Sequence, residues 1–155
     1  MIDYEEKWII PCNTKHFDVT QHFSTTDTVV WNNSFTIKKN DTVYIYLSAP
    51  YSQILYRCKV IQDTVEEKTL QNNSYAIPAK KSHNYFSKKE KYIILRLERV
   101  YPKGLLTLQE LKKHGLGQVQ IQARPDRQLR AFLSKIDEEI DKAEQTVQSD
   151  GDENV

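Results

Sequence analysis

The stretch VYIYLSAPYSQILY, residues 43–56, decides the fold expected of this chain. Its first part alternates between two sets of residues, with Val43, Ile45 and Leu47 on one face and Tyr44, Tyr46 and Ser48 on the other. A period of two is that of a β-strand, and it resumes over residues 54–61, so the sequence predicts an antiparallel hairpin. The connecting loop over 48–53 is longer than the two residues that a tight turn needs. The loop is therefore either a longer turn or the wall of a pocket.

Hydrophobic periodicity and capping residues predict the elements around this hairpin. They are strands over 7–13, 28–31, 92–100 and 118–122, a helix over 18–23 capped by Asp18, a helix capped by Thr107 and ended by Gly115, and a helix from Asp126. The last helix has an apolar stripe formed by Leu129, Phe132, Leu133, Ile136 and Ile140. The polar segment 62–90 is either a mobile insertion with a short strand over 75–77, which is the favoured interpretation, or an arm that contacts phosphates. The expected class is α+β, with five to six short strands in a small β-barrel and flanking helices.

The charge is divided unevenly along the chain. Residues 136–155 hold eight acidic residues and one basic residue, a net charge of −7. Since the whole chain has a net charge of +1, residues 1–135 carry +8. We therefore expect a domain over 1–135 and, over 136–155, a helix end with an acidic, disordered tail or linker. A basic body suits a partner that bears phosphates, although a solvated surface with a disordered tail explains the same numbers.

Two observations bear on the compartment. The first seven residues show no basic stretch followed by an apolar run, and the longest apolar runs fall far below the ~18 residues of a membrane span. We therefore expect no signal peptide and no membrane association. Cys12 and Cys58 lack a disulfide framework spacing and are expected to be reduced thiols in a cytoplasmic protein.

Patterns of catalysis are weak throughout the sequence. Four glycines without a cluster do not make a phosphate-binding loop. Cys12 and His16 are four residues apart, but a zinc site needs a second pair at ligand spacing. Cysteine in these strand patterns is more often a small buried hydrophobe than a nucleophile. The sequence favours a binding module that is not an enzyme, with no catalytic residue, no metal and no cofactor.

Aromatic and amide side chains provide the stronger signal. Trp31 precedes Asn32, and Tyr46, Ser48 and Tyr51 cluster about the end of one strand. A ring such as Trp31 can stack on a flat base while Ser48 and Asn13 bond its polar edge. Trp31 is equally well explained as a core residue, and for Trp8, beside two isoleucines, the core is the favoured interpretation.

The ordered motifs WIIPCN, VVWNN, KKNDTVYIYLSAPYSQILYRCKVI and LLTLQELKKHGLGQVQIQARPDRQLRAFL resemble the EVE-like branch of the PUA superfamily, which is related to YTH domains. The resemblance covers most of residues 7–133. Asn40-Asp41 replaces the Gly-Asp turn of that family, and leucine stands between Tyr46 and Ser48 where many members have histidine. It implies a PUA-like barrel whose pocket accepts a modified base flipped from DNA or RNA.

Similar modules serve modification-dependent restriction systems, so the resemblance implies a reader of methylated or hydroxymethylated DNA with a fused or associated nuclease. The expected base-binding residues are Asn13, Trp31, Asn32, Tyr46, Ser48, Tyr51 and Ser52, and the expected phosphate-binding residues are Arg57, Lys80, Lys81, Arg124 and Arg127. Two alternatives stay open, a reader of modified RNA and a protein-interaction module that uses the helix over 128–140 and the acidic tail.

Overall fold

The computed structural model describes residues 5–32, 36–66, 91–117 and 124–153 of the chain. Within these ranges lie five strands and three helices, in the order β1 (Lys7–Cys12), α1 (Val19–Thr25), β2 (Thr28–Asn32), β3 (Thr42–Leu47), β4 (Gln53–Glu66), β5 (Lys91–Val100), α2 (Leu108–Lys113) and α3 (Arg127–Glu153). The predicted α+β class is confirmed. The expected strands over 75–77 and 118–122, and residues 67–90 of the expected insertion, lie outside the described residues.

The five strands form one sheet in the order β1-β3-β4-β5-β2. β1 pairs with β3 in parallel, and the other neighbours are antiparallel, including the predicted β3–β4 hairpin. A parallel pair needs a crossover connection, and here the chain passes through α1 and β2 before it returns as β3. β2 consequently lies at the far edge of the sheet, beside β5.

β3 is buried along its whole length because both faces of the sheet are covered. Val43, Ile45 and Leu47 belong to a core cluster on the α1 side that also contains Val19 of α1. Tyr44 and Tyr46 belong to the opposite cluster, with Leu111 of α2 and Leu129 and Leu133 of α3. The predicted alternation is confirmed, with apolar and aromatic surface removed from water on either side of one strand.

The predicted helix ends are stabilised by local hydrogen bonds. Asp18 Oδ1 accepts from Gln21 N at 3.1 Å, and Thr107 Oγ1 accepts from Glu110 N at 3.2 Å. The Oε1 of Glu110 accepts from Lys113 Nζ at 3.0 Å, one turn further along the same helix. Gly115 ends α2 with φ +101°, in the left-handed region that glycine tolerates.

α3 begins after Asp126, whose Oδ1 accepts from Leu129 N at 2.9 Å. The helix continues to Glu153 without a break at the predicted domain boundary between residues 135 and 136. That boundary stays a prediction, although Asp137 beyond it is buried against the sheet. None of the helices in the described part of the chain has both the length and the apolar composition of a membrane span.

Candidate nucleic-acid interface

The predicted site residues Asn13 and Ser48 lie side by side where β1 and β3 end. Cys12 and Leu47 are register partners, so the two following residues leave the parallel pair together. The backbone N and the Oγ of Ser48 both donate to Cys12 O, at 3.0 and 3.1 Å. Asn13 is exposed and its Oδ1 accepts from Lys15 N at 3.0 Å, which fixes the turn that follows β1.

Phe17 joins this strand end to Trp31. The backbone N of Phe17 donates to Asn13 O at 3.1 Å, and its ring meets the Trp31 ring edge to face, with centroids 5.9 Å apart and planes at 74°. Both rings are partly exposed. Asn13, Phe17, Trp31 and Ser48 are called the barrel-end site from here on. It combines an aromatic surface with an amide and a hydroxyl, the groups that stack on a base and bond its edge.

The loop after Ser48 is a fixed turn that projects one tyrosine. Tyr51 N donates to Ser48 O at 3.2 Å, and Leu108 N of α2 donates to Ser52 O at 2.9 Å. Ser52 has φ 48° and is partly exposed, while the Tyr51 side chain is 49% exposed. The loop is therefore a long turn that is hydrogen-bonded to α2. Its predicted roles as the wall of a pocket and in base binding stay predictions.

Tyr46 was expected to bind the base, and the structure buries it at 5% exposure, so its predicted role stays a prediction. Its side chain lies in the cluster on the α3 side, with Ile54 and Leu106. The even-numbered positions of β3 face that side of the sheet, away from Trp31. Asn32, by contrast, ends β2 directly after Trp31 and is partly exposed, so its predicted role is untouched.

Arg57 was expected to contact phosphate, but its charge is used inside the protein. Its Nη1 lies 3.0 Å from Asp137 Oδ2, and its Nε lies 3.5 Å from Glu98 Oε1. Only 20% of the side chain is exposed. The local sequence does not reveal this pairing, because α3, which packs over this part of β4, is distant along the chain. Phosphate binding by Arg57 stays a prediction.

Asp137 holds a cluster of polar groups from three elements of the fold. Its Oδ2 accepts from Tyr44 Oη at 3.0 Å, and its Oδ1 accepts from Tyr101 Oη and from Arg99 Nη1 at 3.1 Å. The pKa of Tyr44 is raised well above its ordinary range, mainly by burial and to a smaller extent by the neighbouring Asp137 carboxylate. The same two effects raise the pKa of Tyr101. Asp137 was predicted to belong to the acidic tail. It lies four residues after Leu133, one helical turn along the face of α3 that packs on the sheet.

Of the other predicted phosphate contacts, the structure describes Arg124 and Arg127. Arg124 Cζ lies 5.7 Å from the ring centroid of Trp8, at the start of β1. Trp8 is buried, as the core interpretation expected, and its Nε1 donates to Asp41 Oδ2 at 3.0 Å. Five residues of strand separate Trp8 from Asn13, about 16 Å at 3.3 Å per residue. Arg127 is exposed at the start of α3, and Lys80 and Lys81 lie outside the described residues.

Lys15 and Phe17 were not among the site residues predicted from the sequence. Lys15 is exposed in the turn after β1, next to Asn13, where a cation can meet a phosphate. The sequence NTKHF directly after a strand was the available signal for both residues. His16 is also exposed there, but its suspected metal partner Cys12 is buried, and burial raises the pKa of that thiol to about 11. No group of three metal-ligand side chains occurs among the residues described.

The mixed sheet and its covering helices define a small PUA-like α+β barrel. No protein-family model matches the sequence, and no curated protein does. Among solved structures, the chain is similar to the ASCH protein of Zymomonas mobilis, with TM-score 0.59, 12% identity, and coverage of 84% of this chain and 94% of that one. A hypothetical protein from Leishmania major gives TM-score 0.60, 14% identity, and coverage of 91% and 99%. A Pseudomonas syringae protein gives 0.60, 13%, and coverage of 84% and 98%.

These neighbours correct the family resemblance drawn from the motifs. The fold is that of the ASCH proteins, so the assignment to the EVE-like branch is wrong, whereas the expected PUA-like barrel is confirmed. The motifs misled because they record a turn followed by an alternating strand with tyrosine and serine.

Proposed function

We propose that this chain is a nucleic-acid-binding module, without catalytic activity of its own, that holds one base at the barrel-end site. The observation that carries the proposal is the partly exposed Trp31 ring, set edge to face against Phe17 beside the exposed Asn13. A base placed on these rings stacks on an aromatic surface, and the Asn13 amide can donate to and accept from its polar edge.

The free energies of stacking allow a base to be taken out of its stack in the nucleic acid. Unstacking costs a few kcal/mol, and stacking on protein aromatics returns about 1–3 kcal/mol per base. A methyl group buried against Trp31 adds about 0.8 kcal/mol, enough for a modest preference. The more specific proposal is therefore that the bound base is a modified base in DNA, and a modified base in RNA is the alternative. The association with a restriction nuclease rested on the EVE-like resemblance alone and is not part of the proposal.

Charge supports binding in a secondary way. Residues 1–135 carry +8, and Lys15 places one exposed cation next to Asn13. Each phosphate neutralised by such a cation releases condensed counterions, so affinity falls with added salt. This term does not depend on sequence, and discrimination between bases is therefore assigned to Trp31 and Asn13.

The protein-interaction alternative is less favoured by the contacts of α3. It requires the acidic segment of this helix to be free for a partner, but Asp141 Oδ1 pairs with Arg99 Nη2, and Glu144 Oε2 lies 3.8 Å from the same nitrogen. It also expects Trp31 to be buried, whereas the ring is partly exposed.

Fluorescence anisotropy with matched oligonucleotides tests the proposal. The probes are DNA duplexes with cytosine, methylcytosine, hydroxymethylcytosine or methyladenine, the corresponding single strands, and an RNA of the same sequence, each at two salt concentrations. We expect one modified probe to bind more tightly, and Trp31→Leu and Asn13→Ala to remove that difference. Glu138→Gln, on the exposed side of α3, is the control that leaves it unchanged. Equal, weak binding of all probes with steep salt dependence would contradict the proposal.

A further inference from the structure

The aromatic surface does not stop at the barrel-end site. From Trp31 it continues through Phe17 to His22 and Phe23 of α1, with successive ring centroids 5.9, 5.5 and 6.0 Å apart. All four residues are partly exposed, and Trp31, Phe17 and Phe23 also pack against the core cluster on the α1 side. Trp31, Phe17, His22 and Phe23 are called the aromatic strip from here on. Two of its members, His22 and Phe23, have no role in holding the base at the barrel end.

The rings of the strip do not use their whole faces on one another. The planes meet at 74° between Trp31 and Phe17, at 58° between Phe17 and His22, and at 69° between His22 and Phe23. Tilted and edge-to-face contacts are usual between packed rings, so the angles alone do not distinguish a core from a binding surface. The partial exposure of all four residues is what suits a platform for several bases.

The strip is also held in place from below. Val19 of α1 is fully buried, and the His22 Nε2 lies 2.7 Å from Thr28 O at the start of β2. Phe23 packs on Tyr56 of β4 with ring centroids 5.0 Å apart, and the Tyr56 hydroxyl donates to Thr20 Oγ1 at 2.9 Å. A platform fixed before binding loses little conformational entropy when a ligand arrives.

The spacing of the rings selects the form of nucleic acid. Successive bases along one strand of a duplex rise by about 3.4 Å, which is much shorter than the centroid distances of 5.9, 5.5 and 6.0 Å. Bases can meet successive rings only if they are unstacked from one another and unpaired. An extended single strand satisfies this condition, and a duplex does not.

The charges along the strip are balanced. Lys15, in the turn before α1, and Arg96 on β5, the register partner of Thr28, are exposed cations. Asp18 at the start of α1 and Asp27 before β2 are exposed carboxylates. Arg96 Nε lies 4.0 Å from Asp27 Oδ2, so one cation is already paired. In the described part of this surface, contact with phosphates is therefore a minor source of affinity, and stacking is the major one.

We propose that the aromatic strip binds the unpaired nucleotides next to the base held at the barrel end, so that the ligand of this protein is a single strand of about four nucleotides. The proposal rests on the function proposed above and adds a second contact surface on α1. Binding then depends on ligand length and on stacking, and it depends only weakly on salt.

The test uses oligothymidylates of two to eight nucleotides and a duplex of the longest, with the full chain. We expect affinity to rise with length up to about four nucleotides and then to level off, and the duplex to bind at least ten-fold more weakly. Phe23→Leu keeps an apolar side chain over Tyr56 but removes a ring, and we expect it to weaken the octamer about ten-fold while leaving the dinucleotide unchanged. Phe132→Leu is the matched control, since that ring is stacked on His114 at 3.7 Å outside the strip.

The outcomes separate this proposal from the one on which it rests. If Trp31→Leu weakens binding but Phe23→Leu has no effect and length does not matter, the barrel-end site stands and the strip is overturned. If the duplex binds as tightly as the single strand, the strip is likewise overturned. If no oligonucleotide binds to the folded protein, both proposals fail. Circular dichroism of each variant establishes that it is folded, and the length series of the unaltered protein needs no variant.

Discussion

Arg57 and Asp137 form an ion pair, with 3.0 Å between Nη1 and Oδ2, at the place where α3 crosses β4. The side chains are 20% and 11% exposed, and Asp137 also binds Arg99 and two tyrosine hydroxyls. Such a carboxylate stabilises the fold most when all of its partners are present. A partner without it keeps a buried charge or a hydrogen-bonding group that is not satisfied, which lowers stability. The cluster therefore fixes α3 on the sheet.

Replacing Asp137 by asparagine is expected to lower the free energy of unfolding by about 3 kcal/mol, because two arginines then lose their buried counter-charge. Urea denaturation followed by circular dichroism measures the change. Glu139→Gln, an exposed position on the same helix, is the control and is expected to shift the value by less than about 0.5 kcal/mol. A loss no larger than that of the control would contradict the structural role of Asp137.

Replacing Arg57 by leucine distinguishes a structural arginine from a phosphate-binding one. We expect lower stability, since the variant leaves Asp137 with one cation fewer, but an unchanged affinity of the folded protein for oligonucleotides. Anisotropy titrations at a temperature where the variant is fully folded provide the comparison. A lower affinity with a shallower dependence on salt would restore Arg57 as a phosphate contact.

Alkaline pH is expected to destabilise the fold. Burial raises the pKa of Cys12 to about 11 and that of Cys58 further, and burial with Asp137 raises those of Tyr44 and Tyr101. Each group stays protonated in the folded state when the unfolded chain already ionises, above about 8.5 for thiols and about 10 for phenols. The stability is fully present below those values and falls above them by up to about 1.4 kcal/mol per pH unit for each group.

Urea midpoints measured between neutral pH and pH 10.5 test this dependence. The variant Cys12→Ala, Cys58→Ala separates the thiols from the phenols, because its stability should stay level until the tyrosines of the unfolded chain begin to ionise. Stability that is flat across the whole range in the unaltered protein would show that these groups titrate alike in both states.

The two thiols should also resist modification in the folded protein. Cys12 and Cys58 are buried, and a raised pKa leaves little of the reactive thiolate. A thiol reagent such as dithiobis(nitrobenzoate) at neutral pH should react only as fast as the chain opens, and at once in urea. Rapid reaction of one equivalent under native conditions is the result that would disprove this.

Gly115→Ala is expected to destabilise the protein by about 1–2 kcal/mol. The residue has φ +101°, and an added Cβ would lie 2.9 Å from Asp126 Oδ2, next to the start of α3. Gly117→Ala is a matched control, because nothing lies within 4 Å of its added Cβ. Thermal unfolding of both variants measures the difference, and equal melting temperatures would refute the argument from backbone geometry.

The local features of the fold were predictable from short stretches of sequence. The β3–β4 hairpin, the Asp18 cap of α1 and the Gly115 end of α2 each depend on residues within a few positions of one another. The parallel pairing of β1 with β3 was not predictable in this way. It is decided by which distant strand offers a complementary apolar face, and periodicity contains no such information.

The candidate site was predictable only in part, because some of its contacts are local and others join distant segments of the chain. Asn13 and Ser48 meet because each follows the end of a strand, whereas Phe17, which follows β1, and Trp31, on β2, belong to segments that are not neighbours in the sheet. The burial of Tyr46 and the ion pairs of Arg57 were not predicted, because α3, which covers their face, is distant in sequence. Hydrophobic alternation separates two faces of a strand, but it does not say which face another element will cover.

The strand order also dictates when the binding surface can exist during synthesis. β2 carries Trp31, and its sheet neighbour is β5, while β1 has β3 as its partner. Neither strand can pair with the segment made just before or after it, so contacts across long stretches of chain must form together, which is typical of slow folding. A nascent chain that ends before residue 91 lacks the partner that sets Trp31 against Phe17. The surface proposed to bind nucleic acid is thus assembled late, after most of the barrel has left the ribosome.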